Sequence, residues 1–139
     1  MGISLDNSIG YALTTTLNLL RKEFNAQISS FQLSSEQFAV LKLLDEIGPM
    51  TPTKISNILQ RDKATITRII NSLEKKGFIT KQKVDNRSFE ISITSKGYKE
   101  YKKADEIAQK FHEKIRTLIS DDEYFMLLET LKKIRKGFI

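Results

Sequence analysis

At 139 residues with 40% hydrophobic side chains, the chain has room for one ordinary domain and enough apolar content for a single core. It contains no cysteine and one histidine, which excludes disulfide frameworks, thiolate zinc sites, cysteine nucleophiles and a three-histidine metal centre within one chain. A formal charge of +6 favours an acidic partner, nucleic acid or an anionic membrane, without fixing a fold.

In chain order, Ile9, Leu13, Leu17, Leu20, Phe24 and Ile28 recur every three or four residues, which predicts a long amphipathic helix over 8–30. Ser34 caps a second helix, with Gln37 at the capping-box position and an apolar run from Phe38 to Leu44 behind it. Gly48-Pro49 ends that helix. Thr51 caps a short third helix with Pro52 at its first position, expected to bury Ile55, Ile58 and Leu59. Asp62 caps a fourth helix running to about Lys76, and Gly77 stands where a left-handed C-cap residue belongs.

The period then changes from 3.6 to 2. Phe89, Ile91 and Ile93 alternate with polar neighbours, predicting a half-buried strand paired with Phe78 to Val84 through the polar tip Asp85-Asn86-Arg87. Thr94 or Ser95 opens a fifth helix carrying Tyr98, Ala104, Ile107, Phe111, Ile115 and Leu118. Ser120 with Glu123 forms a second capping box before a last helix through Leu128, Leu131 and Ile134. No internal repeat or interdomain linker divides the chain. The expectation is one domain over 1–139, with a central lobe at 34–94 between terminal helices at 1–33 and 95–139.

Charge is concentrated in that lobe. Residues 51–99 hold 11 basic and 4 acidic side chains, against 3 and 5 in residues 1–50 and 9 and 8 in residues 100–139. A solvated surface on a basic protein is the plain alternative, and the helix carrying the charges argues against it. In the fourth helix Ile66, Ile69, Ile70 and Leu73 share the face that must pack inward. Opposite them lie Ala64, Thr65, Arg68 and Asn71, flanked by Lys63 and Thr67, with no acid between Lys63 and Leu73. A solvent-facing helix would interleave Glu with Lys for i,i+4 support. Short polar groups beside a guanidinium instead fit a DNA major groove. For the hairpin, Lys81 and Lys83 lie along the rising strand, near a phosphate backbone or simply guarding the edge against aggregation.

A tri-helical unit followed by a hairpin is the winged helix–turn–helix plan, so the expected fold is mainly α with a small β-hairpin. The chain resembles the MarR (multiple-antibiotic-resistance regulator) family. The matching stretches are Leu33-Ser-Ser-Glu-Gln-Phe-Ala-Val-Leu41, Asp62-Lys-Ala-Thr-Ile-Thr-Arg68, Leu73-Glu-Lys-Lys-Gly77, Asp85-Asn-Arg87 and Ile93-Thr-Ser-Lys-Gly97. The resemblance implies a wing arginine at Arg87, a wing aspartate at Asp85 that helps hold the arginine or the wing, and long terminal helices that form a dimer. It also implies a crevice for a small aromatic or anionic effector. Tyr11, Phe38 and Phe111 either line such a crevice or are plain core.

Catalytic and cofactor chemistry finds little support, and no cofactor is expected. His112-Glu113 begins like a zinc-protease motif, but Arg116 stands where the second histidine belongs. The glycines are too dispersed for a phosphate-cradling loop, and Asp121-Asp122-Glu123 suits the first turn of a helix. The N-terminus lacks a secretory pattern and no stretch approaches transmembrane length, so a cytoplasmic protein without a membrane partner is expected. Met1-Gly2 opens like a myristoylation site, yet Asp6 occupies the position that needs Ser or Thr. Asn86-Arg87-Ser88 is read as a chance glycosylation sequon.

The apolar stripes of the terminal helices exceed what one small lobe can cover, which points to a two-fold homodimer. The function expected is a dimeric, sequence-specific regulator of transcription, a repressor of a palindromic operator in double-stranded DNA, relieved by a small effector. The competing reading is a winged-helix protein-interaction module or a non-specific architectural nucleic-acid-binding protein.

Overall fold

The computed structural model describes residues 4–139, and the Met1-Gly2 opening lies outside them. Two compact units divide the chain, Met1–Asp105 and Glu106–Ile139.

In the first unit, helix α1 spans Ile9–Ile28, its N-terminus held by the Ser8 hydroxyl accepting the Tyr11 N–H. Its second half enters the core through Phe24 and Ile28. Ile9, Leu13 and Leu17 on the earlier turns stay about half exposed, so this part of the stripe is left uncovered by the chain's own residues. Helix α2, Ser35–Glu46, starts with both halves of the predicted capping box, Ser34 and Gln37, in place. Helix α3, Pro52–Leu59, has Thr51 as cap and proline in its first turn. Ile55 is buried there, but Ile58, expected inside, is exposed. The buried face of this short helix is shared by Ile55 and Ser56, whose hydroxyl donates to the Arg61 carbonyl; at 100° per residue Ile58 falls outside it.

Helix α4 spans Lys63–Lys75 and ends in a Schellman motif. The Phe78 N–H donates to the Leu73 carbonyl and the Gly77 N–H to the Glu74 carbonyl, both at 2.9 Å. Gly77 takes φ +79°, a conformation that disfavours any side chain. Strands β1 (Ile79–Lys83) and β2 (Phe89–Ile93) pair antiparallel, from Ile79 opposite Ile93 to Lys83 opposite Phe89. Met50 adds a one-residue bridge to Ile91, exchanging hydrogen bonds of 3.2 and 2.8 Å. That bridge ties the segment entering α3 to the hairpin.

Helix α5, Ser95–Leu118, is capped by Thr94, whose oxygen accepts the Gly97 N–H while its hydroxyl donates to the Gly77 carbonyl. At Gly97 the helix meets the hairpin root so closely that an added Cβ would lie 2.1 Å from the Phe78 carbonyl oxygen. Tyr101 and Ala104 are buried, whereas Tyr98, expected on the apolar stripe, keeps its ring at the surface. The core of this unit is continuous from Leu41 and Ile55 through Ile66, Ile70 and Leu73 to Phe78 and Ile91, all at most 2% exposed. Each such side chain contributes about 1.5–3 kcal/mol by leaving water.

The second unit holds the end of α5 and helix α6, Asp121–Lys136, which has its own complete capping box of Ser120 and Glu123. The Arg116 guanidinium pairs with Asp121 and lies 4.1 Å from the Tyr124 ring centroid, and His112 meets the same ring edge-on. Asp121, Asp122 and Glu123 occupy the first turn of α6 and Lys133, Arg135 and Lys136 its last turn, complementing the macrodipole at both ends. No residue of α6 is buried, and Phe125, Met126, Leu127 and Leu128 are all exposed. Among the described residues no helix is long and apolar enough to cross a membrane.

Candidate nucleic-acid interface

Helix α4 is set at its start by Asp62. The Asp62 carboxylate accepts the Thr65 N–H at 2.6 Å, and the Thr65 backbone and side chain together hold its pKa below the ordinary carboxylate value. Ile66, Ile69, Ile70 and Leu73 fix the rotation of the helix by burying one face. That leaves Lys63, Ala64, Thr67, Arg68 and Asn71 exposed together. Thr65 departs from the expectation: it is buried at 8% exposure and engaged with Asp62, so it belongs to the cap and not to the outer face. Lys63 and Arg68 carry the positive charge of this surface.

The turn between α3 and α4 is equally constrained. Gln60 adopts a left-handed conformation, φ +52°, and Arg61 bridges back to α2 through an ion pair with Glu36 at 3.0 Å. On the other side, Gln37 of the α2 capping box donates to Ser72 of α4 at 3.0 Å, and Lys76 donates to Gln37 and to the Gln32 carbonyl. Both ends of α4 are therefore braced against α2.

At the wing tip, the Asp85 carboxylate accepts the backbone N–H groups of Arg87 and Ser88, each at 2.8 Å, and these bonds lower its pKa. Asn86, Arg87 and Lys83 are exposed, and no ion pair engages the Arg87 guanidinium among the described residues. Lys81, expected along the rising strand near a phosphate backbone or guarding the edge, makes contacts within the lobe. Its ammonium donates to the Asn71 amide oxygen at 3.2 Å, pairs with Glu74 at 3.4 Å and sits over the Phe89 ring. It is a link between wing and α4.

Of the aromatic candidates, Tyr11 and Phe38 belong to the first unit and Phe111 to the second. Phe38 is core, edge-on to Phe24 at 5.2 Å and stacked on Tyr101 at 5.5 Å. Tyr11 is exposed on α1, about 20 Å along the helix axis from Phe24. Phe111 is half-buried in the second unit. A crevice of about 260 Å³ lies elsewhere in the first unit, with Leu17, Phe24, Leu59, Ile66 and Ile69 as its apolar lining and Arg21, Glu36 and Arg61 beside them. Periodicity could not find it, because its walls come from four separate segments.

The residues 33–89 match the MarR family model. YwoH of Bacillus subtilis (strain 168), an uncharacterized HTH-type transcriptional regulator, is 31% identical over 114 residues, covering 81% of this chain and 83% of YwoH. Among solved structures, S. aureus MepR in complex with DNA superposes with a TM-score of 0.87 at 20% identity, over 95% of this chain and 98% of MepR. The organohalide-sensing RdhR regulator, solved with 2,4-dichlorophenol bound, gives a TM-score of 0.86 at 23% identity, over 96% of this chain and 81% of RdhR. With its braced α3–turn–α4 unit and its basic hairpin, the chain belongs to the MarR family and is a winged helix–turn–helix regulator of transcription, not an enzyme.

Proposed function

We propose that two copies of this chain form a cytoplasmic dimer that binds a palindromic operator in double-stranded DNA and represses transcription. The observation that carries this reading is the outer face of α4, where Lys63, Ala64, Thr67, Arg68 and Asn71 are exposed together with no acid among them. A face of that size enters a major groove, and a dyad places a second one about 10 bp away along the same side of the duplex. The wing adds Lys83 and Arg87, and an arginine on a narrow hairpin suits a minor groove narrowed by A·T steps. The exposed apolar residues of α1 and of α6 supply the surface for a second copy. The terminal helices, 1–33 and 95–139, serve as the dimerisation part and 34–94 as the DNA-binding lobe.

Binding of a folded, dimeric Thr67→Ala, Arg68→Ala protein to the wild-type operator tests the reading. We expect binding at least about a hundredfold weaker; unchanged binding removes α4 from the interface. Sedimentation of a monomer at micromolar concentration removes the dimer.

The crevice favours an effector as a second element of the same function. Its apolar lining beside Arg21 suits a small aromatic anion, Arg61 being paired with Glu36, and Ile66 and Ile69 belong to α4, so an occupant presses on the recognition helix from behind. This assigns the effector to these residues in place of Tyr11, Phe38 and Phe111. DNA release by aromatic carboxylates or phenols that is lost in Arg21→Ala supports it, and release that persists in that variant contradicts it.

A further inference from the structure

The link between Lys81 and α4 bears on what Asn71 can recognise. An ammonium has three donors and no acceptor, so the Asn71 amide must turn its oxygen, not its nitrogen, toward Lys81. The same ammonium pairs with Glu74, one turn further along α4, and rests over Phe89, so it is held from three sides. Glu74 thereby has its charge paired. Among the described residues no hydrogen bond uses the Asn71 NH2 group, and Asn71 is exposed on the face that carries Arg68.

We propose that Lys81 is a positioning residue for base selection: it holds the Asn71 amide oxygen, so that Asn71 meets the groove as a donor. This rests on the reading that α4 enters the major groove. Asparagine ordinarily recognises adenine with both ends of its amide, the oxygen accepting from N6 and the nitrogen donating to N7. In Asn71 the oxygen is turned toward the Lys81 ammonium, which leaves the NH2 group for the groove. The two hydrogens of its NH2 group match instead the two acceptors of guanine, N7 and O6. Asn71 therefore favours guanine over adenine at the base pair it faces, and Lys81 sets that choice without touching the base.

The experiment uses the full chain and an operator enriched from random duplex DNA by the wild type, with each base pair of one half-site replaced in turn. In the wild type, Asn71→Ala identifies the pair Asn71 reads, and guanine is favoured there over adenine by about fivefold or more. Lys81→Met frees the amide to rotate and brings that ratio to about one or below, while preferences at the pairs read by Arg68 persist. Lys81→Arg keeps the preference, and Lys81→Met adds nothing in an Asn71→Ala background. Lys83→Met serves as comparator, since a phosphate contact shows as a salt dependence shallower by about one ion. Should Lys81→Met not fold, Lys81→Gln replaces it, because glutamine can face either end of the amide and also relaxes the ratio. An unchanged guanine preference in Lys81→Met or its Lys81→Gln replacement, or a uniform loss with a shallower salt slope, overturns the proposal and leaves the DNA-reading function standing. A wild type that enriches no sequence overturns that function itself.

Discussion

Asp85 grips the backbone of Arg87 and leaves its side chain alone: the carboxylate accepts the Arg87 N–H at 2.8 Å while the guanidinium stays exposed beyond the strands. The aspartate shapes the tip, and the arginine is what the tip presents. Arg87→Ala should therefore weaken operator binding and flatten an A·T preference in the flanks, leaving the inner base pairs unchanged. Arg87→Lys should restore only part, since a more strongly hydrated ammonium loses more on entering a narrow groove. Asp85→Ala should give a milder form of the same defect. Affinities for operators with A·T or G·C flanks check all three.

Thr65 and Thr67, two residues apart, should behave differently. Thr65 is buried in the cap of α4, so Thr65→Ala should lower stability by about 1 kcal/mol, with affinity affected only as far as the helix start loosens. Thr67 is exposed, so Thr67→Ala should leave the melting temperature unchanged and weaken operator binding. Arg68→Ala should cost about 1–3 kcal/mol of binding if it reads a base. Thermal melts beside binding isotherms separate these cases.

Gly97→Ala should be severe for a steric reason. The new methyl would stand 2.1 Å from the Phe78 carbonyl oxygen, which is fixed by accepting the Thr94 N–H at 3.0 Å. Neither partner is a flexible side-chain end, so the loss should reach or exceed about 3 kcal/mol, read as a fall in the denaturation midpoint.

The pH dependence of stability follows from Asp62, Asp85 and Glu123. Each is held below its ordinary pKa, 3.8 for the aspartates and 4.5 for the glutamate, first by a backbone N–H and then by further hydrogen bonds. A lowered pKa in the folded chain means that the contribution is complete above the ordinary value and is lost as pH falls through the folded one. Melting temperature should be flat from pH 7 to about 5 and fall below about 4. Asp62→Asn, which keeps a cap acceptor without the charge, should make that fall shallower.

What was legible in the sequence was local. The Ser34–Gln37 and Ser120–Glu123 boxes, the cap at Asp62, the turn at Gly77 and the strand around Ile91 each fit within a few residues, and all stand where spacing put them. Thr65 was misplaced because it sits about 90° from the centre of the buried face, where a helical projection is undecided and the hydrogen bond to Asp62 decides. Lys81 with Asn71, Gln37 with Ser72, and Met50 with Ile91 were illegible because they join residues 10 to 41 positions apart, whose meeting depends on how the elements pack. Phe38 shows the same limit from the other side: an aromatic on an apolar face fits a pocket wall as well as a core, and its contacts with Phe24 and Tyr101 place it in the core.

Selection of bound fragments from random double-stranded DNA by the purified wild-type chain tests the central claim most directly. Two recognition helices related by a dyad should enrich a palindrome with half-site centres about 10 bp apart and A·T-rich flanks. Enrichment of no sequence, or of one without two-fold symmetry, would contradict a dimer that reads its operator through α4 and the wing.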